Sequence, residues 1–137
     1  MGLILDSSIV IDAERQGDPV RDLIRRVVST TGDQESVLSS VGLTELVHGL
    51  YRTQDTGLRQ RREAYLTDLL RSVIVYPFTQ ATAMLAGKIH GEQRSHGITI
   101  PSLDLLIGAT ALEIEYSLLT VNVRHFRLIP GLTVVTL

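Results

Sequence analysis

The sequence contains no cysteine and no tryptophan, and only 4% of its 137 residues are aromatic. Without thiols the chain can form no disulfides, no thiolate metal site and no cysteine nucleophile. Lysine is also nearly absent: Lys88 is the one lysine among 13 basic residues, and it stands in no GxxxxGK[ST] phosphate loop. These absences exclude a disulfide-stapled secreted domain and a P-loop nucleotide enzyme.

Long apolar runs are missing as well. The longest, Leu105–Leu112, is far shorter than the roughly 20 residues that span a bilayer. The opening run Gly2–Leu5 ends at Asp6 and lacks the basic residues of a signal peptide. We therefore expect a soluble cytoplasmic protein without a membrane segment. The net charge of −2 argues against nucleic-acid binding by bulk charge alone.

The composition is that of one folded domain spanning residues 1–137. Hydrophobic residues make up 44% and charged residues 20%, which allows a substantial aliphatic core. Short apolar runs that indicate strands alternate with segments of helical periodicity. The expected strands are Leu3–Leu5, Val37–Val41, Val73–Tyr76, Leu118–Val121 and Leu132–Leu137. This alternation predicts an α/β fold with a mostly parallel sheet of four or five strands and helices on both faces.

Four residues with side-chain oxygens lie where a predicted strand ends or where a predicted helix begins. Asp6 ends the first strand, Glu45 is expected in the first turn of the helix after Val37–Val41, and Asn122 follows the strand Leu118–Val121. Asp104 falls in the first turn of the helix that we expect to begin at Ser102. Since ligands of open α/β sheets bind at the carboxyl ends of the strands, we expect these side chains to converge.

Convergent carboxylates repel one another unless a cation neutralises them, and hard oxygen ligands suit Mg²⁺ or Mn²⁺. Such an ion can polarise a phosphoryl oxygen and activate water, so the pattern favours hydrolysis of a phosphodiester. The alternative for any single acid is an ordinary position at the start of a helix. That alternative is weakest for Asp6, because a carboxylate at the end of a buried strand needs compensation.

Basic residues close to Asn122 are candidates for contact with a substrate. Arg124 can bind a phosphate through two nitrogens, and His125 is a candidate substrate ligand or general acid. The cluster of Arg59, Arg61 and Arg62 is interpreted as a solvated helix face.

Four segments of the chain together resemble the PIN-domain ribonucleases, and among them the VapC toxins of type II toxin–antitoxin systems. The segments, which run through almost the whole chain, are LILDSSIVID, SSVGLTELVHGL, GITIPSLDLLIGATAL and LLTVNVRHFRLIPGL. The resemblance implies an α/β/α sandwich, Mg²⁺ or Mn²⁺ as cofactor and endonucleolytic cleavage of structured RNA such as tRNA or rRNA. It also implies a homodimer and a VapB-type antitoxin that occupies the active-site groove.

The resemblance also assigns roles to individual residues. Asp6, Glu45 and Asp104 match the metal-binding acids of the family. Two hydroxyl residues match supporting positions, Ser8 beside the first acid and Thr120 before the last motif position. Asn122 departs from the pattern, because many members carry a fourth acid there. Three carboxylates favour one tightly held ion, with any second ion recruited together with RNA.

Two other classes of protein are alternatives to a nuclease. A catalytically inactive PIN-like module that binds RNA or protein would fit the neutral Asn122 but not the three intact acids. Other phosphotransfer folds fit less well. A haloacid-dehalogenase-like phosphatase has an acid where Ser8 stands, and a receiver domain has paired acids after the first strand and a lysine near the last.

Overall fold

The computed structural model describes residues 1–137 and contains five strands and seven helices. The strands are β1 (Gly2–Leu5), β2 (Glu35–Ser39), β3 (Ile74–Tyr76), β4 (Ser117–Leu119) and β5 (Val134–Val135). The helices are α1 (Ser7–Arg15), α2 (Val20–Thr31), α3 (Ser40–Arg52), α4 (Thr56–Ser72), α5 (Gln80–Ser95), α6 (Ser102–Glu113) and α7 (Val123–Phe126). No helix combines the length and the apolar character that crossing a membrane requires.

The strands form one all-parallel sheet in the order β3-β2-β1-β4-β5. The central strand β1 pairs with both β2 and β4, and all four of its residues are buried. Burial on both faces explains why this strand reads as an uninterrupted apolar run rather than an alternating one. The predicted α/β class and mostly parallel sheet of four or five strands are confirmed, with five strands that are all parallel.

Two hydrophobic cores lie on opposite faces of the sheet. Side chains of a strand alternate between faces, so Leu3 and Leu5 join one core while Ile4 joins the other. The first core packs α1, α2 and α4 against the sheet, and the second packs α5, α6 and α7. The result is the predicted three-layer α/β/α sandwich.

Several element boundaries differ from the sequence prediction. Strand β2 ends at Ser39, two residues before Val41, because the Ser39 hydroxyl accepts a hydrogen bond from the Gly42 N–H and caps α3. Strand β4 ends at Leu119, and β5 comprises two residues only. The four-residue helix α7 was not predicted, since it is too short to show helical periodicity.

The parallel sheet brings the start of several helices to one edge. Because every strand runs the same way, the carboxyl ends of β1, β2 and β4 lie at the same edge, and α1, α3 and α7 follow there. The polar residues that the sequence places after these strands are therefore neighbours in space.

We expect Phe126→Ala to lower the free energy of unfolding by about 3–5 kcal/mol, the usual cost of removing a buried phenyl ring. Phe126 is fully buried and anchors the short helix α7 in the second core. Chemical denaturation followed by circular dichroism measures the change. Leu103→Ala, at a half-exposed site on α6, is the control and should change stability by less than about 0.5 kcal/mol. Equal effects of both substitutions would contradict this account of α7.

Candidate active site

The carboxylate of Asp6 is buried at the end of the central strand, with the residue only 2% exposed. Its backbone N–H donates to the Leu119 carbonyl oxygen, which extends the pairing of β1 with β4. Its Oδ2 atom accepts two hydrogen bonds, from the Ser8 hydroxyl at 2.6 Å and from the Thr120 hydroxyl at 2.8 Å. Oδ1 accepts none and is left for another partner.

The same two hydroxyls bind the loop that follows β4. The Ser8 oxygen accepts from the Val121 N–H at 3.3 Å, and the Thr120 oxygen accepts from the Asn122 N–H at 2.9 Å. Each hydroxyl therefore donates to Asp6 while it accepts from the loop backbone. The position of the loop thus depends on the Asp6 carboxylate, and the predicted supporting positions of Ser8 and Thr120 are where these contacts occur.

Glu45 reaches the site from α3. It lies in the second turn of that helix, not in the first turn as the sequence analysis expected, because α3 begins at Ser40. Its Oε1 accepts a hydrogen bond from the Ser7 hydroxyl at 3.0 Å, which connects the start of α1 to α3. Ser7 was not singled out from the sequence, and its partner stands 38 residues away, so no local pattern indicates the contact.

Asp104 lies in the first turn of α6, as predicted. Its Oδ2 is 2.8 Å from Nδ1 of His125 on α7. The Asp104 side chain is 16% exposed and that of His125 is 40% exposed, so the pair is partly shielded from solvent. The sequence analysis placed His125 on the substrate side of the site and did not anticipate this contact with Asp104.

The three acids influence one another electrostatically. Burial raises the pKa of Glu45, and the charges of Asp6 and Asp104 raise it further, against the hydrogen bond from Ser7. Burial also raises the pKa of Asp104, with Asp6 adding to the shift and His125 opposing it. Hydrogen bonds place the three carboxylates around a common region: Ser7, which binds Glu45, adjoins Asp6 in the chain, and His125, which binds Asp104, lies on the helix after the loop that Thr120 holds to Asp6.

The donor set fits a hard divalent cation, although the side chains do not form a closed cage. Three carboxylates and no sulfur ligand match the oxygen preference of Mg²⁺ or Mn²⁺. As the side chains stand, no three acidic or imidazole groups lie close enough together to ligate one ion. Mg²⁺ ordinarily keeps several waters and takes only one or two protein carboxylates directly, so it does not require a closed cage of three.

The remaining candidates lie on the exposed side of the site. Asn122 is exposed at the N-terminal end of α7, and its side chain makes no capping hydrogen bond. Arg124 is exposed on α7 and forms no ion pair. Both side chains are therefore available to a ligand that approaches the three acids from solvent.

Comparison with known proteins identifies the family. The PIN domain family model matches residues 3–132. Ribonuclease VapC1 of Rickettsia felis is 34% identical over 136 residues, which are 99% of this chain and 96% of that protein.

Solved structures with the same fold include toxin–antitoxin complexes. One is VapBC2 from Rickettsia felis bound to a DNA fragment from its promoter, with a TM-score of 0.85, 21% identity and coverage of 100% of this chain and 99% of that one. Another is VapBC-1 from nontypeable Haemophilus influenzae, with a TM-score of 0.79, 26% identity and coverage of 99% and 98%. From the match to the family model and the identity to a VapC ribonuclease over its whole length, this chain belongs to the PIN domain family and, within it, to the VapC ribonucleases.

Proposed function

We propose that this protein is a metal-dependent endoribonuclease that acts in the cytoplasm as the toxin of a toxin–antitoxin pair. The observation that supports this most directly is the convergence of Asp6, Glu45 and Asp104 at the carboxyl edge of the sheet. The similarity to a protein named as a ribonuclease supports RNA as the substrate class. Structured RNA, such as tRNA or rRNA, is the substrate that the family resemblance implies.

Asp6, Glu45 and Asp104 are the residues that would hold Mg²⁺ or Mn²⁺. The bound ion would supply a Lewis acid that polarises a phosphoryl oxygen and favours ionisation of water. One Mg²⁺ leaves the three carboxylates with a net charge of −1, whereas a second would make the site positive before RNA phosphates arrive. One tightly held ion is therefore expected in the absence of RNA.

The surrounding residues position these acids and the substrate. The hydroxyls of Ser8 and Thr120 both donate to Oδ2 of Asp6. These two bonds fix the carboxylate so that Oδ1 is left for the site. His125 holds Asp104 through one ring nitrogen and leaves the other for solvent or substrate. The Asn122 amide and the Arg124 guanidinium are placed to bind RNA phosphates.

The partner that we propose is a VapB-type antitoxin which covers the acidic site. The similar structures from Rickettsia felis and Haemophilus influenzae are of VapBC complexes, which supports a partner of this kind. We also propose a homodimer. Apolar side chains stand exposed on the surface of the protein, among them Met84 on α5, which is 69% exposed.

We expect purified, antitoxin-free protein to cut total cellular RNA at discrete positions when Mg²⁺ is present, and not when it is chelated. Asp104→Asn should lower the rate at least about a hundredfold, because it removes a charge that the site needs for the cation. Sequencing of the new 5′ ends identifies both substrate and cleavage site.

The matched control for this experiment is Glu113→Gln, an exposed acid on the same helix, which should cut at the wild-type rate. RNA that stays intact under every metal condition, while the folded protein still binds it, would contradict the nuclease and favour a catalytically inactive PIN-like module.

We expect Glu45→Gln to raise the melting temperature of the metal-free protein at neutral pH by a few degrees. The pKa of Glu45 is raised in the folded state, so the stability that the protonated group contributes below the unfolded pKa is lost as pH rises through the folded pKa, and at neutral pH the ionised form costs folding stability. Glutamine keeps an oxygen that accepts from Ser7. Thermal denaturation in chelator measures the difference.

The same variant tests the metal site. Mg²⁺ should stabilise the wild type, since a ligand that binds only the folded state raises its stability, and should stabilise Glu45→Gln much less. Equal stabilisation of the two proteins by Mg²⁺ would show that Glu45 does not hold the ion.

We expect the free protein to have twice its 15.1 kDa chain mass in solution, measured by light scattering after size-exclusion chromatography. Met84→Asp should shift the protein toward the monomer, because it places a charge in an apolar contact. Leu70→Asp, at an exposed apolar site on α4, is the control and should stay dimeric. A wild-type monomer at micromolar concentration would overturn the dimer.

A further inference from the structure

Two of the acids at the candidate active site have one carboxylate oxygen bound by the protein and one that is free. Oε1 of Glu45 accepts a hydrogen bond from the Ser7 hydroxyl at 3.0 Å, and no group of the protein donates to Oε2. Oδ2 of Asp104 lies 2.8 Å from Nδ1 of His125, and no group donates to Oδ1. An ionised carboxylate can only accept, so Nδ1 donates in this bond when Asp104 is charged.

The third acid has the same arrangement. Asp6 uses Oδ2 for both of its side-chain hydrogen bonds, from Ser8 and Thr120, and leaves Oδ1 free. The free oxygens are open to solvent, since the only buried side-chain atoms without a partner are Nε of Arg26 and the hydroxyl of Tyr65. Three carboxylates from three parts of the fold thus present one oxygen each to a ligand that arrives from solvent.

The number of oxygens that a carboxylate offers distinguishes Mg²⁺ from Ca²⁺. Ca²⁺ takes about six to eight oxygen ligands and commonly binds a carboxylate through both oxygens. Mg²⁺ requires an octahedral set of about six ligands and keeps several of them as water. Three single oxygens therefore suit Mg²⁺, directly or through water, but leave Ca²⁺ short of protein ligands.

We propose that Ser7 and His125 are positioning residues that make the site selective for Mg²⁺ over Ca²⁺, because each withholds one oxygen of a metal-binding carboxylate. This inference rests on the proposed function, in which the three acids hold the cation. Hydrogen-bond partners of metal ligands commonly change metal affinity by about 10–100-fold when they are replaced. Selectivity then comes from these partners and not from charge, since both ions are divalent.

Burial makes the two partners effective. Ser7 is only 6% exposed and begins α1 directly after Asp6, so the end of the central strand fixes its hydroxyl. His125 lies on α7, which the fully buried ring of Phe126 anchors in the second core. Glu45 can turn its second oxygen to a cation only if the bond to Ser7 breaks, and a buried hydroxyl left unpaired is costly.

The test compares the affinities of the metal-free protein for the two ions. An ion that binds only the folded state raises Tm, so thermal denaturation across concentrations of MgCl₂ or CaCl₂ gives both dissociation constants. We expect the wild type to bind Mg²⁺ more tightly than Ca²⁺.

Ser7→Ala frees both oxygens of Glu45. We expect it to weaken Mg²⁺ binding and to maintain or strengthen Ca²⁺ binding, so that the ratio of the two dissociation constants shifts toward Ca²⁺ by about tenfold or more. Ser29→Ala is the matched control and should keep the wild-type ratio, because it removes an exposed hydroxyl of α2 that donates only to the Arg26 carbonyl oxygen.

His125 allows a second test with a conservative variant. Asparagine can place an amide N–H where Nδ1 stands and so keep the bond to Asp104, whereas leucine has nearly the same shape and no donor. We expect His125→Leu to shift the ratio toward Ca²⁺ by about tenfold, and His125→Asn to retain the wild-type ratio.

A wild type that binds Ca²⁺ as tightly as Mg²⁺ would overturn the proposal, and an unchanged ratio in Ser7→Ala or His125→Leu would overturn the role of that residue. Equal weakening of both ions would also overturn it, because a loss of structure and not of selectivity has that effect. Failure of the proposed nuclease is distinguishable: RNA would stay intact with Mg²⁺ although the selectivity depends on Ser7 and His125.

Discussion

The buried carboxylate of Asp6 is the constraint on which the rest of the site depends. A charge at the end of a central strand is costly unless it is hydrogen-bonded, and two hydroxyls provide those bonds. The Ser8 hydroxyl comes from α1 and the Thr120 hydroxyl follows β4. Hydrogen bonding of the Asp6 carboxylate therefore requires β4 to pair with β1 in the observed register. The same hydroxyls accept from the next loop, which sets where α7 begins. The pairing of β1 with β4 thus fixes both the packing of the sheet and the placement of the site.

The other two acids show that the site is organised at the expense of stability. Glu45 and Asp104 have raised pKa values because burial and neighbouring carboxylates disfavour their charged forms. A site selected only for folding stability would hold neutral residues there. Hydrogen bonds from Ser7 and His125 oppose these shifts.

Arginine has two roles in this protein, and only the structure separates them. Arg62 and Arg59 are used internally: the first pairs with Glu14, and the second donates to the Thr53 carbonyl oxygen. The sequence predicts a solvated helix face for Arg59, Arg61 and Arg62, and for Arg59 and Arg62 that prediction is wrong. Arg15 and Arg52, by contrast, are exposed to solvent and form no ion pair.

The sequence by itself determined the α/β class, the buried central strand and the three acids, because apolar periodicity and the residues that end strands are local signals. It did not determine the element ends at Ser39 and Leu119, which depend on a cap and on how far a neighbouring strand pairs. Only the tertiary structure decided that Ser7 binds Glu45 and that His125 binds Asp104. Those partners are far apart in the chain, and the layers of the sandwich bring them together through packing that no local pattern encodes.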